Sequence, residues 1–296
     1  MRPLRLGTRR SPLALAQVQV VAQRLGARGV ASEIVQLETA GDRHHAEPLS
    51  SLGGQGVFAV EIQRALLDEH IDVAVHSAKD LPSQTPDGLV LASVPERRDP
   101  VDVLVGRSLA GLGPGASVAT GSPRRRALLL EHRPDLHVVE LRGNMATRLS
   151  RVGQGVDAVV AAAAALERLG VNVSVERLDP EWFVPQVGQG ALALEARADD
   201  ASTRATLAEI DDLDAHRALD CERAFLHALS AGCTVPAGAY ARVVDDELEL
   251  NAVMLAVDGS RSERARRRGT DARALGEAVA RYLADERGGR SLAGWA

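Results

Sequence analysis

The densest chemistry in the chain is Ser77-Ala78-Lys79-Asp80, four residues that end the apolar run Ile71-Asp72-Val73-Ala74-Val75-His76. Lys79 is singular. The chain has 35 Lys and Arg residues, and every one except Lys79 is arginine. An ammonium is a compact point charge and a guanidinium a rigid planar fork, so one does not substitute for the other. Side chains alternate along a strand, so one or two of these four residues face any cleft at its end. Asp80 there would accept hydrogen bonds from N–H groups and stabilise a developing cation. The alternative is a surface Lys–Asp pair worth ~0–1 kcal/mol.

Arginines stand at three further element junctions. Thr120-Gly121-Ser122-Pro123-Arg124-Arg125-Arg126 follows a strand stub and opens a helix. Arg142-Gly143-Asn144-Met145-Ala146-Thr147-Arg148 joins a second strand to a second helix, and Arg9 and Ser11 repeat the design after the first strand. Free N–H groups at helix starts bind anions, and Arg adds bidentate carboxylate recognition. Positive charge at a helix start opposes the macrodipole. The triplet at 124–126 has no obvious local partner, so an anionic ligand would remove the conflict. Ordinary solvated arginine is the competing reading. Gly53-Gly54-Gln55-Gly56 lacks the spacing and the Lys-Ser/Thr of a P-loop and reads as a connector. Gly188-Gln189-Gly190 reads as a hinge or tight turn. His44-His45 reads as a solvated loop pair.

Two cysteines make no disulfide framework. Cys221 falls on an apolar helix face and reads as buried. Cys233 sits in Ala231-Gly232-Cys233-Thr234-Val235-Pro236, between a helix and a strand. A loop thiol there is either inert or a nucleophile or covalent anchor. No His pair lies near at ligand spacing, so no metal is expected.

These groups need elements to hold them. Strands are expected at residues 4–7, 33–37, 72–76, 89–94, 101–105, 117–119, 137–141 and 158–160. Helices are expected at 12–28, 57–69, 124–132, 145–153 and 161–169, with Ser11 a cap and Pro12 at the first helical position. This alternation predicts parallel sheets with crossover helices. Two prolines flank the charged stretch Pro95-Glu96-Arg97-Arg98-Asp99-Pro100, which suits an interdomain crossing. A second break falls at 185–190. Beyond Asp211 the pattern becomes a long helix (213–229), strands at 238–244, 247–257 and 261–266, and a helix at 272–285, a small α+β unit.

The bulk numbers exclude several classes. A length of 296 residues suggests two or three domains. Net charge is −5, with only Phe 3, Trp 2 and Tyr 2 as aromatics, which argues against a nucleic-acid binder. No signal-like apolar segment or spanning run is present, so the expected location is cytoplasmic, with no membrane partner.

Six motifs, in order and over nearly the whole chain, resemble the porphobilinogen deaminase (hydroxymethylbilane synthase) family. They are Thr8-Arg9-Arg10-Ser11-Pro12-Leu13-Ala14, His76-Ser77-Ala78-Lys79-Asp80-Leu81-Pro82, Thr120 through Arg125, Leu141-Arg142-Gly143-Asn144 with Thr147-Arg148, Val187-Gly188-Gln189-Gly190-Ala191, and Gly232-Cys233-Thr234-Val235-Pro236. The resemblance implies an α/β fold of two type II periplasmic-binding-protein-like domains plus a small C-terminal α+β domain. Domain 1 would span 1–96 with a return segment 193–210, domain 2 97–192, and domain 3 211–296.

The resemblance further implies a dipyrromethane cofactor joined by a thioether to Cys233. Four porphobilinogen units would add head to tail, each losing ammonia, before hydrolysis releases hydroxymethylbilane. Asp80 matches the catalytic aspartate. Arg9, Arg124, Arg125, Arg142, Arg148 and Arg168 match positions that bind the acetate and propionate groups or assist the reaction. Ser11, Gln17, Ser77, Lys79, Thr120 and Ser122 match further binding positions. The enzyme would be a monomer whose product passes to uroporphyrinogen-III synthase. Gln55 and Ser51 stand where the family often has Lys, so no binding role is carried to them. Pro123 replaces a usual aliphatic residue. The rival reading is a non-catalytic type II small-anion-binding protein, which would have no use for a loop cysteine in a third domain.

Overall fold

The computed structural model describes residues 2–38, 59–230 and 235–295. Cys233, Ser51, Gln55, the 53–56 glycine loop and His44-His45 lie outside the described residues. Among the described residues, thirteen strands form three sheets: β1 (Leu4–Arg9), β2 (Ser32–Leu37), β3 (Val73–Ser77), β4 (Leu89–Ser93), β5 (Asp102–Gly106), β6 (Ser117–Ala119), β7 (His137–Val139), β8 (Ala158–Ala162), β9 (Val175–Arg177), β10 (Leu192–Arg197), β11 (Ala237–Val244), β12 (Glu247–Leu255) and β13 (Ser262–Gly269).

The first sheet has the order β2-β1-β3-β10-β4 and the second β7-β6-β8-β5-β9. Each has a parallel trio and one antiparallel strand from a distant segment. In the first, β1 runs parallel to β2 and β3, and β10 lies antiparallel between β3 and β4. In the second, β6 is parallel to β7 and β8, and β5 lies antiparallel between β8 and β9. The expectation of all-parallel sheets is therefore corrected to mixed sheets. The reason is topological: the chain crosses between sheets after β4 and returns after β9, so each crossing inserts a strand of opposite direction.

Local chemistry starts the helices that cover these sheets. Ser11 caps the Pro12–Ala27 helix by accepting from the Ala14 N–H at 3.2 Å. That helix buries Val18, Val21 and Leu25 against Leu6, Val73 and Val75. Ser122 caps the Pro123–His132 helix in the same way, with Pro123 at its start. The alanine-rich run divides one residue pair later than expected, with β8 ending at Ala162 and the helix Ala163–Arg168 following. The helix Met145–Leu149 is shorter than expected, because glycines follow at 153 and 155 with positive φ.

The third sheet is the antiparallel meander β11-β12-β13. The helices Leu213–Ala228 and Ala272–Arg281 pack on it, with Cys221, Phe225, Leu250 and Val279 fully buried. Its other contacts reach both neighbours. Val253 and Leu255 join the core formed by Leu128, Leu129 and Phe183. Ala215 and Leu219 join Ala78, Leu81 and Val94, directly behind the turn that carries Asp80. Fully burying a side chain the size of Leu219 contributes ~1.5–3 kcal/mol. No helix among the described residues is long and apolar enough to cross a membrane.

Candidate active site

Parallel pairing of β1 with β3 (Leu6 beside Val73, Gly7 beside Ala74) puts two carboxyl-terminal strand ends side by side. Ligands bind at such ends in α/β sheets. β1 ends on Arg9, and Ser11 follows. Beyond β3 the chain turns through a 3-10 segment, Ala78–Asp80. These segments line one cavity with Thr8, Arg9, Ser11, Gln17, His76, Ser77 and Asp80. Five of the residues expected at the site (Arg9, Ser11, Gln17, Ser77 and Asp80) thus meet in one cavity.

The wall behind it is a buried polar set that the sequence did not announce. Glu195 of β10 is 1% exposed and lies 3.1 Å from Nε2 of His76. Gln63 on the Val60–Leu67 helix donates to both Glu195 oxygens at 3.1 and 3.0 Å. Burial pushes the Glu195 carboxyl up, but His76 and Gln63 outweigh it and hold it below its usual value. A buried carboxylate is tolerated only with such partners.

The second sheet supplies the cations. Thr120 follows β6, and its hydroxyl accepts from the Ser122 N–H at 3.2 Å. Arg124 and Arg125 are turned inward onto Asp102, the first residue of β5. Arg124 Nη2 lies 2.7 Å from Oδ2 and Arg125 Nη2 2.6 Å from Oδ1. Arg124 Nη1 also donates to the Val184 carbonyl at 2.6 Å, and Arg125 Nη1 to that of Val160 at 3.1 Å. Arg126 reaches the Val138 carbonyl at 2.7 Å. The triplet without an obvious local partner therefore has a distant one. Burial pushes the Asp102 carboxyl up, yet the two guanidiniums hold it at about 2.

Lys79 is half-buried and lies within electrostatic reach of Arg125, Arg124, Asp80 and Asp102. Burial first, then Arg125, pushes its ammonium down to about 8, against the opposing pull of Asp80. Arg148 is half-buried; burial and Arg125 lower it while Asp80 raises it. Lys79 and Arg148 thus share two electrostatic neighbours, the Asp80 carboxylate that attracts both and the Arg125 guanidinium that repels both. Arg148 Nε also donates to the Gly143 carbonyl at 2.8 Å.

Arg142 and Arg168 lie differently. Arg142 is exposed and bonds Glu140 at 2.7 Å. Arg168 donates from Nη2 to the Gly190 carbonyl at 2.7 Å, and burial lowers it to about 10.

The excess positive charge around Asp80 fits a ligand that carries several carboxylates. The anchoring thiol expected at Cys233 falls outside the described residues. Asp102 and Glu195 were missed by sequence reasoning. Each is an acidic residue inside an apolar strand, and that is the one signal that marked them.

Comparison with known proteins bears on the same residues. Residues 4–205 match the family described as porphobilinogen deaminase, dipyromethane cofactor binding domain, and residues 217–285 match the porphobilinogen deaminase C-terminal domain. The porphobilinogen deaminase of Brevibacillus brevis is 43% identical over 299 residues, covering 98% of this chain and 96% of that protein. That of Micrococcus luteus is 46% identical, covering 88% and 80%. That of Roseiflexus sp. is 45% identical, covering 97% of each. Among solved structures, a periplasmic substrate-binding protein of an ABC transporter from Coxiella burnetii aligns at a TM-score of 0.42 and 17% identity, covering 70% of this chain and 91% of that one. With two family domains in order and relatives above 40% identity along nearly its whole length, the chain belongs to the porphobilinogen deaminase family.

Proposed function

We propose that Asp80 is the catalytic carboxylate of this porphobilinogen deaminase and that Lys79, Arg125 and Arg148 are its nearest carboxylate receptors. The enzyme joins porphobilinogen units head to tail with loss of ammonia, and hydroxymethylbilane is released. A covalent dipyrromethane supplies the primer to which units are added. The observation that carries the site assignment is the cavity that gathers Asp80 with Arg9, Ser11, Gln17 and Ser77, with Lys79 and Arg148 within electrostatic reach of its carboxylate and both repelled by Arg125. A bound acetate or propionate would neutralise that repulsion.

Each chain residue has a physical task in this reading. Asp80 accepts pyrrole N–H groups and steadies positive charge where it develops. Arg9, Ser11, Gln17 and Ser77 form the opposite lining and orient a ring through its side chains. Thr120 and Ser122 shape the start of the second wall, and Arg124 braces Asp102. Arg142 and Arg168 serve the outer rings of a longer chain. Cys233 is the covalent anchor. The domains in this reading are 1–96 with 193–210, 97–192, and 211–296, a division that the three separate sheets support. The protein acts as a cytoplasmic monomer and passes its product to uroporphyrinogen-III synthase.

Intact mass tests the anchor. Wild-type protein should carry a two-pyrrole adduct that Cys233→Ser lacks. An active wild-type enzyme of unmodified mass would refute the attachment.

A further inference from the structure

We propose that Gly188 and Gln189 are positioning residues for the reaction: together they set the Lys79–Asp80 turn at a fixed distance from the Asp102–Arg125 pair. The inference rests on the assignment of Asp80 above.

The segment that returns from the second sheet to the first passes directly beneath the turn. Gly188 has φ +71, and a Cβ there would lie 2.8 Å from the Ala78 carbonyl carbon and 2.9 Å from the Lys79 nitrogen. Real Cβ atoms do not come so close to backbone, so only glycine lets the two segments touch. Gln186 adds a bond from Nε2 to the Lys79 carbonyl at 3.3 Å. The next residue faces the other sheet. Gln189 is 1% exposed. Its Nε2 donates to Asp102 Oδ1 at 2.9 Å and to the Pro100 carbonyl at 2.6 Å. Its Oε1 accepts from Arg125 Nη2 at 3.5 Å. Gly190 closes the device, since a Cβ there would lie 2.3 Å from the Arg98 carbonyl oxygen.

The segment expected to be a hinge or tight turn is thus a packed strut. One side touches the backbone that carries Asp80, and the other touches the carboxylate that aims Arg125. Reacting groups held on two separate sheets need such a spacer, because a displacement of about 1 Å can cost ~10²-fold in rate.

The test separates position from stability. Gly188→Ala is compared with Gly29→Ala. Gly29 has φ +77 but open space around its Cβ position, so both changes impose the same backbone strain and only one pushes the turn. Gln189→Leu removes the other end of the strut, and it decides alone should Gly188→Ala fail to fold. Turnover, KM, melting temperature and the adduct-bearing fraction by intact mass are measured for each. Gly188→Ala and Gln189→Leu should lose tenfold or more in kcat per adduct-bearing molecule, with KM within about threefold. A folded variant that carries no adduct counts the same way, because attachment uses the same turn. Gly29→Ala should lower melting temperature with kcat unchanged. Near-normal kcat in both strut variants, or an equal loss in Gly29→Ala, overturns the proposal. Asp80→Asn run in parallel keeps the two readings apart. Normal turnover there removes Asp80 itself, whereas impaired turnover there beside intact strut variants removes only the strut.

Discussion

Glu222 and Arg97 face each other as a two-pronged ion pair, Nη1 to Oε1 at 2.6 Å and Nη2 to Oε2 at 3.2 Å. Arg97 lies on the segment that first leaves the first sheet, and Glu222 lies on the Leu213–Ala228 helix packed on the third sheet. The carboxylate is 0% exposed and also accepts from the Gly188 N–H at 2.7 Å and the Ala241 N–H at 2.8 Å. Both crossings between the first two sheets and the third sheet therefore meet at one buried anion, next to the Gly188 contact with the Lys79–Asp80 turn.

Removing that anion strands a buried guanidinium and two backbone donors. Breaking one side of a buried pair costs ~3–5 kcal/mol. Glu222→Ala should lower the unfolding free energy from urea titration by that margin, with a matching fall in the midpoint, and Glu222→Gln, which keeps an acceptor, should lower it less. Equal midpoints for Glu222→Ala and wild type would show that the junction is not held here.

Asp80 sits on a turn whose backbone is fixed by Leu81 and Ala78 in the core. Its side chain is half-buried and faces the cavity, so shortening it leaves the packing intact. Asp80→Ala should melt close to wild type and lose ~10²–10³ in kcat, the loss typical for one well-placed charge stabiliser. A rate within a few-fold of wild type would exclude Asp80 from the reaction.

Lys79 gives the site a pH dependence with a definite sign. Its folded value of about 8 lies below the ordinary 10.5. The free enzyme therefore loses a carboxylate receptor as pH rises through about 8. The same shift acts on stability in the opposite sense. Between about pH 8 and 10.5 the unfolded chain binds more protons than the folded one, so a cost present at neutral pH is relieved as pH rises. kcat/KM for porphobilinogen should fall above pH 8, because it reports the free enzyme. kcat should fall less, since a bound carboxylate restores the charge. Lys79→Arg, which stays charged, should flatten the kcat/KM profile near pH 8; an unchanged inflection would assign it to another group.

The strand ends that carry Arg9, Ser77, Thr120 and Arg142 were legible because their neighbours have local signatures: an apolar run, a Ser cap, a Pro at the first helical position. What decided the rest is long-range. β10 was not expected as a strand, since Leu192-Ala193-Leu194-Glu195 fits helix or strand equally until β3 and β4 flank it. β9, three residues long, has no periodicity to read. The Arg124 and Arg125 side chains looked like free anion receptors because Asp102 is far away in sequence, and only the inserted β5 brings it beneath them. Gly188 looked like a hinge because conformational freedom is what an isolated glycine advertises. The contact it permits with Ala78 is a property of the assembled fold.

Cys221 and Cys233 should behave as two different thiols. Cys221 is 0% exposed, and burial, with Glu222 and Asp220 adding to it, pushes its thiol up to about 12. Thiolate is the reactive form, so Cys221 is both shielded and protonated at neutral pH. Iodoacetamide applied to folded protein that lacks the pyrrole adduct should label Cys233 alone. Cys221 should react only after denaturant unfolds the chain. In adduct-bearing wild type neither cysteine should react while folded, because the sulfur at 233 is already alkylated. Labelling of Cys221 in the folded protein, read by peptide mass, would mean that the core beneath the third sheet opens far more readily than its packing implies. The cofactor's covalent selectivity would then need a cause other than the burial of the competing thiol.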